Sequence, residues 1–293
     1  MSSRILPDFN LLLPQSVAEA VELLSTHRNR ITVMAGGTDV MVAMKFARSP
    51  AQLPEFVMSL ENVPGLGYVL FDPEKGLRIG AKATVAELLV QPEVKQHYRA
   101  LWNAARTFAT GQVRNTATVL GNLLRASPAG DCSCAIYALG GALVLHGPGG
   151  SREVDIDDFW LSYGVTARQP DELAVELILP PPAAGSRSAF KRMTRVSEDL
   201  AKLNVAVRLE MSGNTCIDAR LAMGCVAPTP LRLTKTEALL KGRELTAEVL
   251  QRAAASVPGE ISPIDDKRST AEYRRQVSGV LLRRAIQEAC GAA

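Results

Sequence analysis

Met34-Ala35-Gly36-Gly37-Thr38-Asp39-Val40-Met41-Val42-Ala43-Met44-Lys45 runs from an apolar strand through paired glycines into a helix. Upstream, Ile31, Val33 and Ala35 alternate with Thr32 and Met34, the period of a half-buried strand. Thr38 or Asp39 is placed to cap a helix whose apolar residues are Val40, Met41 and Met44. A glycine pair admits positive φ and brings several N–H groups close to a ligand with no Cβ in the way. Beside a helix N-terminus, such a nest suits a phosphate or pyrophosphate. An ordinary strand–turn–helix would show the same glycines, so a second segment is needed to choose.

Residues 108–131 supply it. Thr118, Gly121, Asn122 and Asp131 form a varied polar set interleaved with apolar Val119, Leu120, Leu123 and Leu124. That mixture suits a large ligand with flat apolar and polar parts; a polar loop before a buried helix is the structural alternative. An apolar helical run is expected from Ala135 to Val144.

Taken together, Ala35-Gly36-Gly37-Thr38-Asp39, Thr118-Val119-Leu120-Gly121-Asn122 and Ala126-Ser127-Pro128-Ala129-Gly130-Asp131 resemble the FAD-binding subunit of molybdenum hydroxylases. That family includes the medium subunits of carbon monoxide dehydrogenase and bacterial xanthine dehydrogenase. The likeness continues through Ala189-Phe190-Lys191-Arg192, Glu198-Asp199-Leu200-Ala201-Lys202, Ala271-Glu272-Tyr273-Arg274-Arg275 and Leu281-Leu282-Arg283-Arg284-Ala285. It therefore covers nearly the whole chain in order.

The resemblance implies an α+β protein. A two-subdomain FAD-binding domain of the PCMH/VAO type is expected over residues 1–178, divided near 1–57 and 58–178. A smaller α+β domain, a three-stranded antiparallel sheet with helices, is expected over 179–293. By the same resemblance, Met34, Ala35, Gly36, Gly37, Thr38, Asp39 and Val40 hold the FAD pyrophosphate, mainly through backbone. Thr118, Gly121, Asn122 and Asp131 wrap the flavin and ribityl chain. Phe108 stands where relatives place an aromatic near the cofactor, with plain helix core as the other reading. Leu124 and Leu173 are candidates to pack near the isoalloxazine or adenine. Lys191 corresponds to a lysine near the flavin, where a cation would stabilise a reduced, anionic ring.

The activity implied is electron relay. Relatives oxidise a substrate at a molybdenum cofactor on a large subunit, and iron–sulfur (2Fe–2S) clusters on a small subunit pass electrons to FAD. The final acceptor is NAD, a quinone or oxygen, and the assembly is a dimer of heterotrimers. Two other readings remain: a free-standing FAD oxidoreductase of the same fold, and a scaffold that has lost FAD. The second is motivated by Leu120, which stands where relatives carry a glycine.

Composition fits this picture. The chain has 293 residues, enough to bury a sizeable core, and a formal net charge of +3. No basic stripe with aromatics points to nucleic acid, and apolar runs stop short of membrane-spanning length. Met1-Ser2-Ser3-Arg4 lacks the apolar core of a leader peptide, and five cysteines fit the reducing cytoplasm. Cys132 and Cys134 read as small buried residues, a redox pair being the minority reading; Cys216, Cys225 and Cys290 are scattered, with no zinc or iron–sulfur spacing. His27, His97 and His146 lie outside every motif, and no catalytic triad is present.

Several elements are expected from pattern alone. Ser16 should cap a helix carrying Val17, Ala20, Val21 and Leu24; Thr84 should start another, and 92–108 should be mostly helical. Hairpins should turn at 72–76 and 147–150, with the last strand before Pro180 at 172–179. Strands are expected at 188–195, 201–211 and 215–225, and helices at 231–240, 246–255 and 271–289. The final helix should bury Tyr273, Val277, Val280, Leu281 and Ala285. Its Arg274, Arg275, Arg283 and Arg284 read as solvated or partner-facing.

Overall fold

The computed structural model describes residues 5–291; the leader-peptide reading of residues 1–4 lies outside them. The chain opens with a small parallel sheet of β1 (Asn10–Leu12), β2 (Ile31–Met34) and β3 (Phe56–Ser59), in the order β1-β3-β2. Parallel strands need crossovers: α1 (Val17–His27) carries the chain from β1 to β2 on the far side of β3, and the segment 35–55 returns it from β2 to β3. The Ser16 hydroxyl caps α1 by accepting from the Glu19 amide at 3.1 Å, and Ala20, Val21 and Leu24 are its buried face. The chain leaves β2 through Gly36-Gly37 into α2 (Val40–Lys45).

A five-stranded antiparallel sheet follows. The β4 (Val69–Asp72) and β5 (Gly76–Gly80) hairpin turns where the Asp72 carboxylate accepts from the Glu74 and Lys75 amides. Six short helices come next: α3 (Val85–Leu89), α4 (Pro92–His97), α5 (Arg99–Thr107), α6 (Gly111–Arg114), α7 (Val119–Leu124) and α8 (Asp131–Leu139). Thr84 and Glu87 close a reciprocal capping box on α3. β6 (Ala142–Gly147) and β7 (Gly150–Asp155) form the second hairpin, β8 (Trp160–Ser162) and β9 (Val165–Thr166) a small excursion. β10 (Leu173–Leu179) then enters the centre of the sheet, whose order is β4-β5-β10-β6-β7.

The last third is a second antiparallel sheet with helices. β11 (Ser186–Met193), β12 (Leu203–Ser212), β13 (Thr215–Gly224) and β14 (Leu231–Arg232) pair in sequence. After α9 (Thr234–Leu240), β15 (Arg243–Glu244) joins β13; α10 (Ala247–Ser256) and α11 (Ala271–Ala289) complete the layer. Alternation along β12 splits the packing. Val205, Val207 and Leu209 belong to the core under these helices, whereas Ala206 belongs to the core shared with the first two sheets. Small residues on that face admit α8, whose Cys134 thiol donates to the Ala222 carbonyl at 3.4 Å.

Some expectations need correcting. The helix expected at 135–144 runs from Asp131 to Leu139, because Gly140 and Gly141 take φ of 80° and 134° and release the chain into β6. Residues 92–108 are mostly helical as expected, divided into two helices at Tyr98, whereas Leu231 begins a short strand before α9. On α11, Tyr273 and Val280 are exposed, and the buried face carries Arg274, Ser278, Leu281, Leu282, Ala285 and Ile286. Arg274 is therefore neither solvated nor partner-facing. Its guanidinium pairs with Asp266 at 2.8 Å and donates to the Ile264 carbonyl at 2.9 Å, so an internal loop neutralises it. Among the described residues, no helix is long and apolar enough to cross a membrane.

Candidate functional site

The end of β2 builds one wall of a cavity of about 300 Å³. Gly36 is obligatory there: a Cβ on it would sit 2.0 Å from the Thr116 carbonyl oxygen. Gly37 has φ +70°. The Ala35–Thr38 backbone is thus pressed against the segment that leads into α7, and Asp39 and Val40 continue the lining. No side-chain cap forms at Asp39; its carboxylate faces Arg125 across the rim at 3.6 Å.

The opposite wall is α7 and its entry. Thr118 is the N-cap of a helix, not a strand residue, and its hydroxyl accepts from the Gly121 amide at 3.1 Å. Leu120 is consequently helical and fully buried, one side of the cavity and free of any demand for positive φ. Gly121 and Asn122 follow on the cavity side. The Asn122 orientation is set from behind. Its Oδ1 accepts from the Ser133 amide and hydroxyl, each at 3.3 Å. A backbone N–H can only donate, so the amide oxygen must face Ser133 and the NH₂ group is turned away from it. Phe108, Leu124 and Leu173 complete the apolar lining.

A second, more open cavity of about 600 Å³ shares Ala35–Thr38 and Thr118 with the first. Met34 belongs here, with Met41, Ser59, Glu61, Lys82, Thr84, Asn115 and Thr116. The glycine loop stands between two compartments, each of a volume usual for ligand pockets.

Two residues expected at the cofactor lie elsewhere. Asp131 is buried at the start of α8, and its carboxylate accepts from Arg192 at 2.8 Å and from the Asn204 amide at 2.7 Å. Burial pushes this carboxyl up, against the opposing pull of Arg192 and Asn204. Lys191 pairs with Glu288 of α11, which also takes the Asn103 amide at 3.2 Å. Neither side chain lines either cavity.

Other lining residues had no local signal. Arg125 sits at the rim over the Tyr163 ring, and Arg168 and Glu172 close the far end between β2 and β10. Arg152 grips Glu172 with two bonds of 2.6 and 2.9 Å and holds its carboxyl below the usual carboxylate range. Only a long-range contact could have placed these side chains. The cysteines offer no redox chemistry here: Cys132 and Cys134 are fully buried, and burial drives both thiols far up. The histidines are engaged away from the cavities, His27 against Phe56, His97 on Phe71 and His146 with Ser151.

Residues 7–182 match the FAD binding domain in molybdopterin dehydrogenase, and residues 188–289 match the CO dehydrogenase flavoprotein C-terminal domain. The chain belongs to the FAD-binding family of molybdopterin dehydrogenases. It is 32% identical to the carbon monoxide dehydrogenase medium chain of Hydrogenophaga pseudoflava, over 97% of each chain. It is 29% identical to the glyceraldehyde dehydrogenase medium chain of Sulfolobus acidocaldarius, over 96% of this chain and 98% of that one. The solved carbon monoxide dehydrogenase from Hydrogenophaga pseudoflava, in a form lacking the Mo-pyranopterin moiety, superposes with a TM-score of 0.93 over 99% of both chains at 32% identity. This family member thus carries a flavoprotein subunit's FAD-binding domain, and the residues fit that cofactor. The obligatory glycine is at the shared loop, and Asn122 has an NH₂ group that donates to no protein atom among the described residues.

Proposed function

We propose that this chain is the FAD-carrying electron-transfer subunit of a multisubunit molybdenum hydroxylase, working in the cytoplasm. Its partners are a large subunit with the molybdenum cofactor and a small subunit with 2Fe–2S clusters, arranged as a dimer of heterotrimers. The acceptor is NAD, a quinone or oxygen. The observation that carries this reading is the Gly36-Gly37 loop standing between two compartments, with the Asn122 amide opposite it in the first.

Each group has a separable task. The loop Met34–Val40 offers backbone N–H groups to phosphate oxygens, and Thr38 adds a hydroxyl. Gly121 lets the α7 backbone come close, while Thr118 already caps that helix and acts chiefly by fixing its start. Asn122 presents two donors to acceptor atoms of the cofactor. Leu120, Leu124, Leu173 and Phe108 exclude water from the flat rings. Bound there, FAD supplies storage of two electrons and their exchange one at a time. Asp131 and Lys191 act on the site from behind: Asp131 fixes the start of α8 beneath Asn122, and Lys191 braces β11 against α11. The named relatives act on different molecules, carbon monoxide and glyceraldehyde, so the organic substrate belongs to the large subunit.

The test is the visible spectrum of the purified chain together with the metal content of its native complex. Flavin bands released as FAD on denaturation, with iron and molybdenum arriving only with copurifying subunits, support the assignment. A colourless chain that cannot be reconstituted with FAD overturns it.

A further inference from the structure

The first cavity runs alongside β2. At one end is the Gly36-Gly37 loop; at the other is the turn 168–172, held to the residues before β2 by the Arg28–Asp171 ion pair at 3.7 Å. At about 3.3 Å per strand residue, these ends are on the order of 15 Å apart. The far end is lined by Ile31 and Val33 from β2 and by Leu173 and Ala174 from β10. Arg168 lines the cavity among these apolar side chains.

Among the described residues no carboxylate lies within ion-pair distance of Arg168, although Glu172 and Asp171 act on its charge from further off. One nitrogen, Nη1, donates to the Gln169 and Glu172 carbonyls at 3.0 and 2.7 Å. The nearby Glu172 carboxylate is already filled by both arms of Arg152 and by the Gln169 amide at 2.7 Å. Asp171 is directed to Arg28. Arg168 is therefore oriented by backbone through one corner, and its Nε and Nη2 form no hydrogen bond among the described residues. A guanidinium held this way in an apolar slot favours a flat, acceptor-rich partner that it can both stack on and donate to.

We infer that Arg168 is a specificity-determining residue that reads the adenosine half of the cofactor, selecting the dinucleotide over a flavin mononucleotide. This rests on the FAD assignment and adds a direction to it. The redox ring must stay within reach of partners, whereas the adenosine half is chemically inert and can be enclosed. Phe108 and Leu124 line the same cavity next to helices that pack on the C-terminal sheet. α5 leads into Phe108 and lies against β11, while α7 leads into α8 beneath β12 and β13. Arg168 lies instead between the two N-terminal sheets. Adenine offers ring nitrogens and a π face, and its ribose offers hydroxyl oxygens; each matches a donor or the face of the guanidinium.

The full chain, stripped of cofactor, is titrated with FAD, ADP and FMN, as wild type and as Arg168→Met and Arg168→Lys. Arg168→Met is expected to weaken ADP and FAD together by roughly tenfold and to leave FMN unchanged, the loss usual for a desolvated charged contact. Arg168→Lys keeps charge without the planar fork and is expected to restore only part of that loss. In FAD-loaded variants the visible flavin band should stay in place. Equal losses for FAD and FMN, unchanged ADP affinity, or a displaced flavin band would each overturn the inference while leaving the FAD assignment standing. If Arg168→Met does not fold, the Arg168→Lys ratio of ADP to FMN affinity decides alone. Wild-type protein that takes neither FAD nor ADP overturns both.

Discussion

Two regions of this molecule are built around polar residues, and they use them in opposite ways. Around the first cavity, the Gly36 and Gly37 backbone and the Asn122 side-chain NH₂ leave donors directed at open space. At the seam between α8 and the C-terminal sheet, Asp131, Arg192 and Asn204 direct almost everything at one another. Arg192 also donates to the Ser197 and Asp199 carbonyls, tying down the charged loop after β11. Residue type does not distinguish the regions; what separates them is whether a partner elsewhere in the chain has already satisfied the group. An open donor set is a ligand site, and a closed one is a joint.

Breaking the joint should have the largest effect on stability. Arg192→Met leaves Asp131 buried with the Asn204 amide but no opposite charge, which costs about 3–5 kcal/mol. The sign with pH follows from the raised carboxyl. Burial lifts Asp131 above its ordinary 3.8, so its contribution is fully present below that value and lost as pH rises through the folded pKa. Without Arg192 the lift is greater, and the deficit should widen between about pH 4 and pH 7. Chemical denaturation across that range checks it; a deficit independent of pH would make the seam ordinary packing.

Gly36→Ala probes the other region. With a carbonyl oxygen 2.0 Å from the new methyl, the loop must move, at about 3 kcal/mol. The contrast with Arg192→Met lies in the ratio of effects. FAD affinity should fall at least as far as stability here, whereas the seam variant should lose stability first. Parallel titration with FAD and thermal denaturation of both proteins separates them, and identical ratios would erase the distinction drawn between joint and site.

How much of this was readable beforehand depends on the range of the interaction. The β2–Gly-Gly–α2 passage and the Ser16 and Thr84 caps are legible because alternation, glycine and capping act within a few residues. Arg274 was misread because its Asp266 partner lies on an irregular loop, which no helical period reveals. The same blindness hid Arg168 and Arg125 from the cavity. It also concealed that Asp131 is engaged by Arg192, a residue 61 positions away. The doubt that Leu120 raises is resolved locally: Thr118 caps a helix there, so the position needs no glycine conformation.

Glu172 lines the cavity, yet its carboxylate is closed like the seam's. Glu172→Gln weakens the Arg152 pair, in which the arginine side chain is 44% exposed, so the expected loss is about 1–2 kcal/mol. Arg152 depresses this carboxyl below its ordinary 4.5, so its stability contribution is present above that pH and lost as pH falls through the folded pKa. The variant's acid limb should therefore flatten below about pH 4.5 while neutral FAD affinity changes little. An unchanged acid limb would place the pH sensitivity elsewhere.

The smallest effect should come from Ser133, and it tests the comparison most sharply because Ser133 touches both regions. It is fully buried in the first turn of α8, two residues from Asp131, yet its hydrogen bonds end on Asn122 at the cavity. Ser133→Ala keeps the backbone N–H and so keeps the amide oxygen facing α8, but removes the hydroxyl that reinforces it. Loss of one such bond is worth about 1 kcal/mol. If α8 transmits the rigidity of the joint to the site, that loss should appear as roughly fivefold weaker FAD binding with little change in thermal stability. Ser133→Thr, which restores a hydroxyl, should recover most of the affinity. If both variants lose stability and neither loses affinity, Asn122 is oriented by the backbone amide alone, and joint and site are independent.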